Sequence, residues 1–424
     1  MELYKKVIVA FHIDRYYTTC YIGVKSVDKI LNVEKFEDFS NDSVSIHNIK
    51  YWDVFRIFYK IKEILNKISK QYIIESIGVS GTTKNFALLD KNNNILRVPL
   101  VWDKLDDEIS DKNYELSGNK FAYSCELFEF LSFDNSGFVE IFDKILFIPD
   151  LINYFLTSKL YNNLSFVSTS QFFDNINKKI IKFNSKNIFY DIIKPSEVIG
   201  FLTSDIKKCL NIDYDVKVVS VCADDISSIM KYLYKNCKKF SVIKLGDVDK
   251  IFINSNRAVI TKLSYKNSVN NEWVFDNKYA LFKVVEASKY IRMFKKIMKK
   301  RNIVIDMNFE ITDYSNKLKS FEFDIKEDED IVKAFTKLLE RSSIKPTVDN
   351  VLREVYLFIA HLYREYIFDL QNVSGIDVDD VYIFSHDIEE ANLLKNIFSN
   401  IIVGKNISII DENVEIIGNM YCQI

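Results

Sequence analysis

Apolar positions along the chain recur with two periods, and the order in which they do so repeats. VIVAF (7–11), TTCYIGV (18–24) and ILNVEKF (30–36) are short runs rich in β-branched and aromatic residues and predict three strands. Val54, Ile57, Ile61, Ile64 and Leu65 then fall at helical spacing within 52–68, which predicts an amphipathic helix leading into the apolar run SIGVSG (76–81). The same order returns as FSVIKLG (240–246), KIFIN (250–254) and AVITKL (258–263), a helix from about 349 to 370, and VYIFS (381–385). In that late helix Val351, Val355, Phe358, Leu362, Tyr366 and Leu370 make one apolar face, and Pro346 with Thr347 supplies a start signal. Two β-β-β-α-β units predict duplicated α/β domains around an interdomain cleft, a usual place for ligands. The join falls at 230–240, so the expected domains are 1–235 and 236–424. Two long insertions, 105–215 and 265–345, read as mostly helical, broken by polar, Asn-rich turns.

Composition narrows the function classes. The chain has 424 residues, 48 % of them hydrophobic, enough for two cores of ordinary size. With 57 basic against 59 acidic side chains the net charge is −2, and no basic block stands apart from acidic neighbours, so neither nucleic acid nor a membrane is an expected partner. The most apolar stretch, ILFIPDLINYFL (145–156), is cut by Pro149, Asp150 and Asn153 and is too short to span a bilayer. The start, MELYKKVIVAF, reads as a strand rather than a secretory signal. Cys20, Cys125, Cys209, Cys222, Cys237 and Cys422 form no CxxC pair, which fits neither a zinc site nor a patterned disulfide framework and points to the cytoplasm. His47, His361 and His386 share no metal-ligand spacing, so no metal site is expected of them. The acidic stretch 321–331 and the basic run FKKIMKKR (294–301) read as solvated faces.

The glycine count is more informative. Only ten occur, although loops that cradle phosphate need glycine so that backbone N–H groups reach the anion without an intervening Cβ. The abundance of Asn, Lys, Ile, Tyr and Phe looks like AT-rich coding, which by itself thins dispensable glycines.

Specific strings then carry a resemblance. IGVSGTTKNFALLDKNNNILRVPLVWD (77–103) resembles the region of FGGY-type carbohydrate kinases where a strand ends in the sugar pocket and an aromatic–acidic pair closes it. FIPDLINYFLTSKLYNNLSFVSTSQFFD (147–174), DIIKPSEVIGFLT (191–203) and VVSVCADDISSIM (218–230) follow in the family's order, the first of them similar to the rhamnulokinase branch. NEWVFDNKYALFK (271–283) and the terminal Gly418-Asn419 of IIGNM (416–420) extend the similarity over nearly the whole chain. The resemblance implies two ribonuclease-H-like domains of the actin and hexokinase type, the first on the sugar side and carrying the base candidate, the second on the nucleotide side.

It also implies site residues. Transfer of a phosphoryl group to a sugar hydroxyl needs a carboxylate to take the proton. The family's Gly-His-Asp string corresponds to Ala223, Asp224 and Asp225, which makes Asp225 the general-base candidate. Read locally, Asp225 is equally a helix N-cap after a strand. Asp224 joins the sugar side, and two convergent carboxylates would raise one another's pKa. Ser80, Gly81, Asn85, Trp102 and Asp103 correspond to sugar contacts, Trp102 by stacking. On residue type alone Ser80-Gly81 is a turn and Trp102 a core anchor.

At the nucleotide loops the family pattern is altered. In one register His12 stands at the family's Asp and Asp14 at its Gly; shifted by two, Asp14 takes the acidic position and Tyr16 the glycine. Leu245-Gly246-Asp247 replaces Ser-Gly-Thr, and Ser385-His386-Asp387-Ile388 replaces Gly-Gly-Gly-Ser. An Asp beside a polyphosphate costs roughly 1–4 kcal/mol at close range. Asp14, Gly246, Asp247 and Ser385 are therefore the nucleotide-side candidates, and two functions follow. One is a kinase for a ketose or deoxyketose that uses Mg·ATP, with Asp225 as base. The other is a catalytically silent relative that needs no cofactor and acts as a sugar-binding, regulatory or partner subunit. Sequence leaves the oligomeric state open.

Overall fold

The computed structural model describes residues 5–25, 30–81, 85–101, 113–120, 127, 137–222, 225–234, 239–246, 248–285, 287–305, 311, 313–314, 328–341, 343, 345–385, 387–410 and 414–424. The chain divides into two units: 1–236 with 255–280 and 413–424, and 237–254 with 281–412.

In the first unit β1 (Lys6–Ile13), β2 (Tyr17–Lys25) and β3 (Ile30–Ser40) form the antiparallel trio that the apolar runs predict. Helix α1 (Val54–Ser69) follows, started by Asp53, whose side chain accepts a hydrogen bond from the Arg56 N–H. It buries Val54, Ile57, Ile61, Ile64 and Leu65, the predicted face. β4 (Ile73–Gly81) then pairs parallel to β1. After α2 (Ile148–Thr157), β5 (Val198–Phe201) and β6 (Lys217–Val219) complete a sheet of order β5-β6-β4-β1-β2-β3, and α3 (Asp225–Leu233) follows β6.

β1 is apolar without alternation because both faces are covered. Val7, Val9 and Phe11 share a core with Ile57, Ile61 and Ile64 of α1. Ile8 and Ala10, on the other face, pack with Ile416 and Met420 of the C-terminal helix Val414–Tyr421.

The second unit repeats the order. β7 (Phe240–Lys244) and β8 (Asp249–Ser255) are an antiparallel pair, β9 (Tyr279–Val285) lies beyond β8, α4 (Ser288–Lys300) and α5 (Val348–Ser374) follow, and β10 (Asp380–Phe384) pairs parallel to β7. After α6 (Ile388–Ile401), β11 (Asn406–Ile409) adds a parallel edge, so that five neighbouring strands of a six-stranded sheet run in the order β9-β8-β7-β10-β11. Each unit is ribonuclease-H-like: a three-stranded meander whose first strand takes a parallel neighbour after a helix.

Three expectations differ from the structure. The third strand of the second unit is Tyr279–Val285, not 258–263. At 261 a reciprocal capping box between Thr261 and Ser264 starts the short helix Lys262–Lys266 instead. The predicted face of α5 is too narrow, because Tyr356, Leu357, Ile359, Ala360 and His361 are buried as well, whereas Leu362 and Tyr366 are half-buried. Within 105–215 the described residues hold short strands at Phe173–Asp174 and Lys144–Phe147 beside helices of ten residues or fewer. Asparagines at Asn163 and Asn211 cap helices there and keep them short. Among the described residues no helix is long and apolar enough to cross a membrane, and none of their His, Cys, Asp and Glu side chains gather in threes as metal ligands would.

Candidate functional site

Strand register puts the candidates of the first unit at one end of its sheet. His12 is opposite Ser80 and Ile13 opposite Gly81 at the carboxyl ends of β1 and β4. Because β6 runs parallel to β4 with Val219 opposite Gly78, Asp225, the first residue of α3, follows β6 at that same end. This edge is where ligands bind in open α/β sheets. Asp224, Trp102 and Asp103 lie outside the described residues, as does the side chain of Asp225.

Ser80 is buried to 1 % exposure and fully engaged. Its Oγ meets His12 Nδ1 at 3.0 Å, accepts from Asn419 Nδ2 at 2.7 Å and donates to the Phe11 carbonyl at 3.4 Å. Asn85 is likewise buried and donates to the Leu100 carbonyl at 2.7 Å. Gly81 has φ +152°, and a Cβ there would lie 2.1 Å from the Ile13 carbonyl oxygen, so the close approach of β1 and β4 requires glycine. Asn419 reaches Ser80 because the C-terminal helix sits directly on α3: a Cβ on Gly418 would lie 1.9 Å from the Ser228 carbonyl oxygen.

The first hairpin turn is held by its own carboxylate. Asp14 Oδ1 accepts from the Tyr16 N–H at 2.6 Å and faces the Tyr17 N–H at 3.5 Å, while Asn41 Nδ2 donates to the Asp14 carbonyl.

In the second unit, parallel pairing of Lys244 with Phe384 brings Gly246 and Ser385 to the ends of adjacent strands, and the Leu245 N–H bonds to the Phe384 carbonyl at 2.9 Å. Asp247 lies outside the described residues. Beneath this turn is Asp249, which no sequence signal singled out and which is fully buried. Its carboxylate accepts from the Gly246 N–H at 3.3 Å, the Ser288 N–H at 2.7 Å, the Ser288 hydroxyl, and the Tyr363 hydroxyl at 2.7 Å. Arg292 donates to the Gly246 carbonyl and to Ser288 Oγ. Burial, then the charge of Asp249, pushes the Tyr363 phenol well above its usual range, so it stays a donor.

The third turn follows the same plan. Ser385 Oγ accepts from the Asp387 N–H at 3.1 Å, and Asp387 caps α6 by accepting from the Glu390 N–H at 3.0 Å. Lys295 Nζ faces Asp387 at 3.4 Å. Asp249, Ser288, Arg292 and Tyr363 escape a sequence reading because Ser288 and Tyr363 lie 39 and 114 positions from Asp249.

Known proteins share both sequence and fold with this chain. It is 24 % identical over 385 residues to a rhamnulokinase of Oceanobacillus iheyensis, covering 83 % of this chain and 79 % of that one. A rhamnulokinase of Bacteroides thetaiotaomicron is 24 % identical over 273 residues, 60 % of this chain and 56 % of the relative. Among solved structures, a xylulose kinase of Brucella ovis superposes with TM-score 0.75 at 12 % identity, over 98 % of this chain and 90 % of that one. A Plasmodium falciparum glycerol kinase with ADP gives TM-score 0.74 at 13 % identity, over 98 % and 89 %. No family model matches the chain. With its two ribonuclease-H-like units, the chain is an FGGY carbohydrate-kinase homologue related in sequence to the rhamnulokinases.

Proposed function

We propose that this protein binds a ketose or deoxyketose of the rhamnulose type, and that it is a sugar-kinase homologue in which phosphoryl transfer has been lost. The relationship to rhamnulokinases supports the sugar class. The observation that carries the loss is the filling of three turns by carboxylates of the chain itself: Asp14 on the Tyr16 amide, Asp249 on the Gly246 amide and Asp387 on the Glu390 amide. Amides of this kind are what a polyphosphate would need, and a carboxylate already holding them repels it as well. The residues present at these turns therefore do not fit the phosphates of Mg·ATP. A silent homologue of this kind would serve as a sugar-binding, regulatory or partner subunit, and its place would be the cytoplasm.

A second reading, ATP-dependent phosphorylation of the same sugar with Asp225 as proton acceptor, is favoured by one feature. Asp225 begins α3 at the sheet end that also carries Ser80 and Gly81, where a base for a bound sugar hydroxyl would stand. In this reading Ser80, Gly81, Asn85, Trp102, Asp103 and Asp224 would surround the sugar, and Asp14, Gly246, Asp247 and Ser385 the nucleotide.

Thermal-shift titration separates the two. A ligand at a hundred times its Kd adds about 2.7 kcal/mol of stability. A panel of ketoses and deoxyketoses is expected to include one that raises Tm saturably, while Mg·ATP leaves Tm unchanged with or without that sugar. A saturable Mg·ATP shift accompanied by ADP release that Asp225→Ala abolishes would establish the kinase instead.

A further inference from the structure

Cys222 and Cys422, 200 positions apart in the chain, bring their sulfurs to 3.4 Å. Both are buried, at 0 % and 2 % exposure, in a small apolar cluster with Val221. Cys222 lies between β6 and α3, three residues before Asp225, and Cys422 directly follows the C-terminal helix. We propose that these two thiols are a redox modification site, which a small peroxide converts to a disulfide that staples the C-terminal helix to the segment leading into α3.

The surroundings divide the labour between the sulfurs. The hydrogen bond between the two sulfurs, against the effect of burial, lowers the Cys422 thiol, and the positive charge of Lys231 adds to this. Burial pushes the Cys222 thiol up. Cys422 is thus the nucleophile and Cys222 the resolving thiol. The Cys422 thiolate attacks one peroxide oxygen, the O–O bond breaks and hydroxide leaves, which makes a sulfenic acid. The Cys222 sulfur then attacks that sulfur, the S–O bond breaks, and water departs with the Cys222 proton. Two thiols lose two electrons, and hydrogen peroxide is reduced to two waters. The sulfurs must close from 3.4 Å to about 2.05 Å, a bond length that tolerates little deviation. The seating of Gly418 on the Ser228 carbonyl already holds the two segments in contact.

The site stands apart from the nucleotide question, and its test needs no turnover. The full chain, reduced and then treated natively with hydrogen peroxide, is blocked with a thiol reagent and peptide-mapped. The expected product is one linked Cys222–Cys422 peptide, with a Tm roughly 10 °C higher that dithiothreitol reverses, since a bridge closing so long a loop constrains the unfolded chain strongly. Cys222→Ser and Cys422→Ser should each abolish the link and the Tm rise, and replacement of the exposed Cys209 by Ser should leave both. Native wild-type protein in which both thiols survive peroxide, are over-oxidised separately, or bridge to Cys125 or Cys237 overturns the proposal.

Discussion

Replacing Asp150 with Asn is expected to stabilise the protein at pH 8 by on the order of 5 kcal/mol and to remove most of its pH dependence between pH 4 and 8. Asp150 lies in the first turn of α2 and is buried at 5 % exposure. Among the described residues its hydrogen-bond donors are neutral: Asn162 Nδ2 and the Asn163 N–H, each 3.3 Å from Oδ2. Burial raises its pKa to about 8, and these two hydrogen bonds offset only part of the effect. In the unfolded chain the same group titrates near 4. A carboxyl whose folded pKa is raised contributes its full stability below the unfolded value and loses it as pH rises toward the folded one. Each pH unit between about 4 and about 8 therefore costs the wild type roughly 1.4 kcal/mol. Asn keeps an oxygen to accept from Asn162 and Asn163 and carries no charge to desolvate. Urea unfolding of both proteins at pH 5, 6, 7 and 8 measures this. Curves that stay parallel across the four pH values would show that Asp150 is ionised in the folded protein.

Asp150 also marks a limit of what the chain discloses. In ILFIPDLINYFL the polar residues Asp150 and Asn153 read as interruptions, yet both are buried at 5 % exposure. α2 packs against β4, β5 and α1 and so has little open face, and a period of 3.6 cannot show that a polar position turns inward to meet buried Asn162 and Asn163. The first meander, helix α1 and, in the second unit, β7, β8, α5 and β10 are legible because each is a local pattern; the third strand of the second unit is not. Thr261 defeated the strand pattern of 258–263 because one capping box outweighs β-branched residues over so short a run. Among the candidate site residues, Gly246 and Ser385 are brought together by parallel pairing that the repeat implies. The carboxylates that fill the turns are a different matter. Asp14 and Asp387 sit inside strings that were already suspect, but Asp249 gains its meaning only from Ser288 and Tyr363, which no local spacing connects to it.

Gly418→Ala should cost a net 2–3 kcal/mol and lower Tm by roughly 2–5 °C, against the usual direction for a glycine within a helix. Alanine improves helix propensity by about 1 kcal/mol, and Gly418 is interior to Val414–Tyr421. The gain is outweighed because the added Cβ would lie 1.9 Å from the Ser228 oxygen, 2.6 Å from its carbonyl carbon and 3.0 Å from its Cα. These are backbone atoms of α3, so no side-chain rotation relieves the overlap and one helix must move off the other. The displaced helix carries Ile416 and Met420 away from Ile8 and Ala10, Asn419 from Ser80, and Tyr421 from its stack on Tyr232, where the ring centroids are 6.2 Å apart. A loss of near-ultraviolet tyrosine dichroism should therefore accompany the fall in Tm. Gly200→Ala is the control, since the nearest atom there is a lysine side-chain carbon at 3.2 Å, which can swing away. Separation of the helices also moves Cys422 off Cys222, so the variant should yield little of the peroxide-induced bridge. A variant as stable as wild type that still forms the bridge would mean that α3 and the C-terminal helix do not meet through Gly418.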